Sequence, residues 1–237
     1  MGKNKRLAII TGASRGIGFE IAKLFQENNF DLINLARGEC KLNNVKNIKV
    51  DLSKIESVNS GCNLIKNEIK EYESICLIHN ASVSLRDNFE NINQENLDYI
   101  FKVNVASQIE INRILLPLFP KNSSVIFIGS TLSEVAVPNS LSYMLTKHSQ
   151  AAIMKSLTQD LFGKEIHTCL ICPGFTDTQM LSEVFPDKNF LDSFVKEKVS
   201  FGRLISPKEI AETILFCSKN PIINGSIIHT NLGMRSN

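Results

Sequence analysis

The sequence predicts a single α/β domain, a mostly parallel sheet of about seven strands with helices on both faces. Three observations carry this. Short apolar, β-branched runs alternate along the chain with longer segments of helical period. A glycine-rich turn, TGASRGIG at 11–18, joins the first such run to the first helical segment. The 237 residues contain no repeat, linker or low-complexity tract, so 1–237 reads as one domain.

Taken in order, RLAIIT (6–11) is a buried strand, and 16–28 is a helix with Ile17, Ile21, Leu24 and Phe25 on one face. LINLA (32–36) is the second strand and NIKVD (47–51) the third, after a short connection. Ile55, Val58, Cys62, Ile65 and Ile69 mark a helix before the strand SICLIHN (74–80). Residues 94–119 carry one long helical pattern ending near Pro117 and Pro120, followed by the strand SVIFIGS (124–130). A helical stripe runs from Tyr143 through Ala151, Met154 and Leu161 to Gly163. IHTCLIC (166–172) is a strand that Pro173 and Gly174 end. Residues 175–205 lack a clear period. A stretch that long in a compact domain is usually functional, and it is expected to be a substrate lid. A helix at 207–219 has Ser206 as N-cap and Pro207 at its first position, and SIIHT (226–230) is the last strand.

Composition narrows the function classes. Hydrophobic residues at 43% and charged residues at 21% describe a water-soluble globular chain. A net charge of +2 argues against a nucleic-acid or membrane partner, and no apolar run reaches the length of a membrane span. No signal-peptide core precedes the first strand, and Gly2 lacks the Ser or Thr that myristoylation wants at position 6, which is Arg6. The six cysteines include one C-x-x-C pair, Cys169 and Cys172, which strand alternation puts on opposite faces. They read as reduced core thiols rather than metal ligands, and the expected compartment is the cytoplasm. No metal site is expected.

The turn at 11–18 is a phosphate cradle. Gly12, Gly16 and Gly18 let backbone approach a ligand, and with Ser14, Arg15 and Ile17 they open a helix whose N-terminus favours an anion. An NAD site would place an acid at the end of the second strand. Here the strand ends in Ala36-Arg37, and a guanidinium there suits the 2′-phosphate of NADP(H), with Arg15 as a second clamp. Asp51, with Leu52 beside it, is placed for the adenine amino group.

Tyr143 and Lys147 stand four apart, on one helix face. The pair alone is weak, since chance supplies it in about one such chain in four. It gains weight from its company: TGASRGIG, the DL of 51–52, HNAS at 79–82, Asn104 in FKVNVAS, Ser130 in FIGS, YMLTK at 143–147 and PGFTDT at 173–178. In order and spacing this set resembles the short-chain dehydrogenase/reductase family over essentially the whole chain, a family of doubly wound Rossmann-type domains. The resemblance implies a carbonyl reductase. Tyr143 would be the acid that protonates the carbonyl oxygen, and Lys147 would lower its pKa and hold the nicotinamide ribose. Ser130 would bond and orient the carbonyl, and Asn104 would hold a water that links Lys147 to solvent. Asn80 and Ala81 would line the adenosine side, and Pro173, Gly174, Thr176 and Thr178 the nicotinamide side. His79 and Ser82 depart from the family's NNAG. Ser82 adds a Cβ near the nucleotide, and His79 reads as a strand-end core histidine.

Within the family, 3-oxoacyl-[acyl-carrier-protein] reductases resemble this chain best, through PGFTDTQM, VSFGRLISPKEIAE and GSIIHTNLGM. That branch's arginines before the fifth and sixth strands correspond to Lys121 and Lys164, which keep charge without the planar fork. The expected substrate is a small-molecule carbonyl, with a carrier-bound 3-oxoacyl thioester as one candidate. The alternative is the ketone of a sugar, nucleotide sugar or secondary metabolite, and a third reading is a non-catalytic NADP-binding protein. Phe185, Phe190, Leu191, Phe194 and Val195 suggest an apolar lid. The helices at 94–119 and 143–162 are apolar on more than one side, so a homo-oligomer, dimer or tetramer, is expected.

Overall fold

The computed structural model describes residues 5–235, so Gly2 lies outside the described residues. Strands β1 (Arg6–Thr11), β2 (Phe30–Ala36), β3 (Val45–Lys49), β4 (Ser74–His79), β5 (Ser124–Ile128), β6 (His167–Pro173) and β7 (Ser226–Thr230) form one sheet in the order β3-β2-β1-β4-β5-β6-β7. Every pairing is parallel. The order reverses between β1 and β4, and a doubly wound sheet binds its ligand in the crevice beyond the strand ends at such a point.

Strand alternation sorts the core into two layers. Leu7, Ile9, Leu77, Phe127 and Cys172 pack on one face, with Val58, Ile111 and Met154 from the helices. Ala8, Ile10, Ile78, Ile126 and Cys169 pack on the other, with Ile21, Phe25 and Ile214. The two cysteines of the C-x-x-C pair therefore face opposite layers, and all six cysteines are buried and free. Among the described residues no helix is long and apolar enough to cross a membrane.

The helices are α1 (Gly16–Glu27), α2 (Ile55–Ile65), α3 (Gln94–Phe101), α4 (Ser107–Leu115), α5 (Leu141–Asp160), α6 (Gln179–Val184), α7 (Lys188–Lys198) and α8 (Pro207–Lys219). The structure corrects the sequence reading in three places. β3 ends at Lys49, so Asp51 lies beyond the strand rather than on it. The single helix expected over 94–119 is four pieces, with a π turn at Lys102–Ala106 between α3 and α4 and a 3₁₀ turn carrying Pro117 after them. The extra residue of a π turn hardly disturbs a hydrophobic stripe, so periodicity passes over it. Residues 175–205 hold two capped helices rather than irregular chain: Thr178 accepts from Leu181 N and Asp187 from Phe190 N. Leu191, Val195 and Val199 form a small core of their own there.

Candidate active site

The chain after β1 turns at Gly12, whose φ of 77° is in the left-handed region glycine tolerates. A Cβ on Gly18 would lie 2.1 Å from the Gly12 carbonyl oxygen and 2.5 Å from Asn80 Nδ2. Gly18 is therefore required by the packing of α1 on its own loop. Asn80 Nδ2 donates to the carbonyls of Thr11 and Gly12, both at 3.0 Å. The Thr11 hydroxyl accepts from the backbone N–H groups of Asn80 and Ala81. The loop is braced from its other side by Asn34, a buried residue of β2 that sequence reasoning passed over. Its Oδ1 accepts from Ala13 N at 2.9 Å, and its Nδ2 donates to Gly38 O and Asn47 Oδ1. A polar residue inside LINLA was the available signal.

Arg15 is the N-cap of α1, with extended backbone and no side-chain cap, and the first turn holds no acidic residue. The first amides of the helix are thus open to an anion. That is the test a dinucleotide's pyrophosphate must meet, and these residues meet it.

The cradle opens into a cavity of about 1350 Å³. Gly12, Ser14, Arg15, Gly16, Ile17, Gly18, Arg37, Asp51, Leu52, Asn80, Ala81, Pro173, Gly174, Thr176 and Thr178 line it together with Ser130, Tyr143 and Lys147. Arg15 Nη1 also donates to Gln179 Oε1 of α6 at 2.6 Å, tying the cradle to the 175–205 segment. Asp51 accepts from Ser53 Oγ and N, which holds its carboxyl below the usual range. Asn104 stands behind the cavity wall, fully buried in the π turn. Its Oδ1 accepts from Val83 N, and its Nδ2 donates to Val83 O and to Thr146 Oγ1. Its side chain therefore braces the loop after β4 against α5.

Ser130 lies two residues beyond β5 and caps the 3₁₀ turn Thr131–Ser133. Helix α5 begins at Leu141 without a side-chain cap of its own. Asp87 supplies it from the loop after β4: Asp87 Oδ1 accepts from Ser142 N at 2.9 Å, and its carbonyl from Leu141 N. This contact sets the first turn of the helix that carries Tyr143. Lys147 is 2% exposed, donates to Ile128 O at 2.8 Å, and has its Nζ 5.3 Å from the centroid of the Tyr143 ring.

Burial pushes the Tyr143 phenol up to about 12, opposed by hydrogen bonds with the Ser130 and Ser82 hydroxyls. Burial pushes Lys147 down to about 7. Two hydroxyls thus lower the Tyr143 phenol, and the lysine one turn on is itself depressed by burial. His79 is fully buried, stacks on Phe127, and bonds Asn112 Oδ1 through Nε2 at 3.0 Å. Burial pushes it down to about 4, so it is a neutral core residue.

A doubly wound sheet with an anion-ready helix end at its switch point, and a buried lysine, a tyrosine and a serine in one cavity, defines a nucleotide-dependent oxidoreductase. The chain belongs to the short-chain dehydrogenase/reductase family. The family model that matches is described as enoyl-(acyl carrier protein) reductase and covers residues 12–235. Members of this family use a nicotinamide cofactor. The 3-oxoacyl-[acyl-carrier-protein] reductase of Chlamydia trachomatis is 27% identical over 97% of this chain and 97% of its own. The protein of the same name from Buchnera aphidicola is 27% identical over 99% of both. A short-chain dehydrogenase family protein of Francisella tularensis superposes with a TM-score of 0.87 at 27% identity, over 98% of both chains. L-Sorbose reductase of Gluconobacter frateurii, solved with NADPH and L-sorbose, gives 0.88 at 21% identity over 100% of this chain and 99% of its own, a likeness of fold alone.

Proposed function

We propose that this protein is an NADPH-dependent carbonyl reductase whose substrate is a 3-oxoacyl thioester. The observation that carries the reading is that Ser130, Tyr143 and Lys147 line the same cavity as the nucleotide cradle. When bound, the reduced nicotinamide would supply the hydride to the carbonyl carbon. The Ser130 hydroxyl would donate to the carbonyl oxygen and orient it, and Tyr143 would deliver a proton to that oxygen. Lys147 would favour the phenolate as it forms and hold the nicotinamide ribose.

The lid supports an acyl substrate over a sugar. Phe175, Phe185, Phe190 and Phe194 all line the cavity. Phe185, Phe190 and Phe194 stack on one another with centroids 6.0 to 6.4 Å apart, and Phe175 meets Phe185 and Phe194 edge-on. Such a wall rewards burial of an apolar chain and offers a polyol no hydrogen bonds. Docking of an acidic carrier has less support, since Lys121 is already paired with Glu165 at 2.7 Å. Exposed Ile109 on α4 and Leu145 on α5 support a homo-oligomer. NADPH consumption with acetoacetyl-coenzyme A against a panel of sugar and nucleotide-sugar ketones tests the substrate class. Turnover of the thioester is expected, and turnover of the sugars alone would overturn the reading.

Arg37 and Arg15 in the cavity support NADP(H) over NAD(H). Arg37→Asp replaces a bidentate cation with a carboxylate beside the 2′-phosphate, and is expected to shift kcat/KM toward NADH by about a hundredfold. An unchanged cofactor preference would remove Arg37 from the phosphate site.

A further inference from the structure

We propose that Asp87 is a positioning residue for the reaction: reaching α5 from another loop, it sets where Tyr143 stands in the cavity. The proposal rests on Tyr143 being the proton donor. Tyr143 is the third residue of α5, directly after Ser142. The first N–H groups of a helix have no partner within it, and helix ends fray. A local cap is at hand. Ser140 stands at the N-cap position and is of the type that usually caps, yet its side chain makes no cap bond and its hydroxyl lies 3.5 Å from Pro138 O. Asp87 takes the amides instead, Ser142 N through Oδ1 at 2.9 Å and Leu141 N through its carbonyl at 3.1 Å. Asn88 ties down the approach to the helix, its Nδ2 donating to Asn139 Oδ1 at 2.9 Å.

Stability alone does not ask for this arrangement. Asp87 is 6% exposed, and its Oδ2 is buried with no hydrogen-bond partner among the described residues. A buried oxygen left unpaired is destabilising, and a cap from Ser140 would avoid it. What the distant cap adds is position. A local cap moves with the helix it closes, whereas Asp87 belongs to the loop that walls the cavity.

That loop is itself held. Ser82, Val83, Ser84, Leu85 and Arg86 line the cavity, and Asn104 bonds Val83 N and Val83 O, each at 2.9 Å. Arg86, next to Asp87, donates to Val184 O at the end of α6 at 3.1 Å. One short loop therefore mounts both the start of the helix that carries Tyr143 and the end of a helix in the 175–205 segment. Lys147 has a separate anchor, Ile128 O at 2.8 Å. Without Asp87 the turn bearing Tyr143 loosens while Lys147 stays held. A reacting group displaced by about 1 Å can cost a hundredfold in rate.

Asp87→Ala, Asp87→Asn, Asp87→Glu and Ser206→Ala test this, with acetoacetyl-coenzyme A turnover, NADPH affinity by fluorescence and Tm measured for each. Ser206→Ala removes the cap of α8, which packs on the other face of the sheet from α5, so it reports a lost cap without the positioning. Both alanine variants are expected to lose a few degrees of Tm. Asp87→Ala is expected to lose about thirtyfold in kcat with NADPH affinity within about twofold of the parent's. Ser206→Ala is expected to keep kcat. Asp87→Asn retains the accepting oxygen and is expected to restore most of kcat. Asp87→Glu moves that oxygen by one methylene and is expected to lose about tenfold in kcat, and it carries the test if the alanine variant does not fold. Parent-like kcat in Asp87→Ala, or in Asp87→Glu where it stands in, would overturn the proposal. So would an equal loss of kcat in Ser206→Ala, or a loss of NADPH affinity in step with kcat, each the mark of a merely structural role. Tyr143→Phe run in parallel separates the two levels. If it is inactive while the Asp87 variants are normal, only the Asp87 role fails. If it is active, the reading of Tyr143 fails first.

Discussion

Tyr143→Phe is expected to lower kcat by about a thousandfold or more while leaving NADPH affinity nearly intact. The substitution removes one oxygen and keeps the ring. The ring matters to the neighbours: Lys147 Nζ sits 5.3 Å from its centroid, and that contact survives in phenylalanine. The oxygen matters to the reaction. In the proposed reaction it would pass a proton to a carbonyl held by Ser130, which phenylalanine cannot do. The cradle residues that would bind the nucleotide's phosphates, Gly12 to Gly18, and the Asn80 brace beneath them are untouched by the change. Initial rates with acetoacetyl-coenzyme A, set against a fluorescence titration with NADPH, check both halves. Near-full turnover would exclude Tyr143 as the donor. Loss of NADPH binding in step with turnover would show that its part is structural.

Legibility in the sequence followed how local each cause is. The strand–helix alternation and the turn TGASRGIG announce themselves because glycine at those positions has a backbone reason, and the seven strands came out in place to within a few residues. What stayed hidden depends on residues meeting across the fold. The cap of α5 comes from Asp87, 55 positions before Ser142, and no capping pattern can reveal a partner that distant. Asn34 carries no local signal of its role beyond being polar in an apolar strand, since the groups it holds, Ala13 N and Gly38 O, belong to two separate loops. The π turn at 102–106 aims the side chain of Asn104 at Val83, yet its extra residue left the apolar stripe readable as one helix. Tyr143 and Lys147 were legible as a pair from their spacing. Their titration was not, because spacing places a charge but says nothing of how little water reaches it, and burial raises the phenol and depresses the ammonium.

That burial makes Lys147→Met the second large effect, with stability and activity moving in opposite directions. Lys147 is 2% exposed and has one hydrogen bond, to Ile128 O. Burial brings its pKa from 10.5 down to about 7. Between those two values the unfolded chain binds a proton that the folded protein does not, so stability rises with pH across the window. Below about pH 7 both states are protonated, and the folded state carries the full cost of a buried ammonium. Methionine has similar length and no charge, so the variant escapes that cost. At about 1.4 kcal/mol per pKa unit, the gain for the cofactor-free protein is on the order of a few kcal/mol near pH 6. It is reduced by roughly 1 kcal/mol for the Ile128 carbonyl left without its donor. Urea denaturation from pH 6 to 10 is expected to show the variant more stable at the acid end, with the two curves converging as the pH approaches 10.5. Turnover is expected to fall at least about a hundredfold near pH 6, where Lys147 is protonated and would favour the Tyr143 phenolate. A variant less stable than the parent at pH 6 would show that the ammonium is compensated in the fold, and would remove the conflict between stability and catalysis at this position.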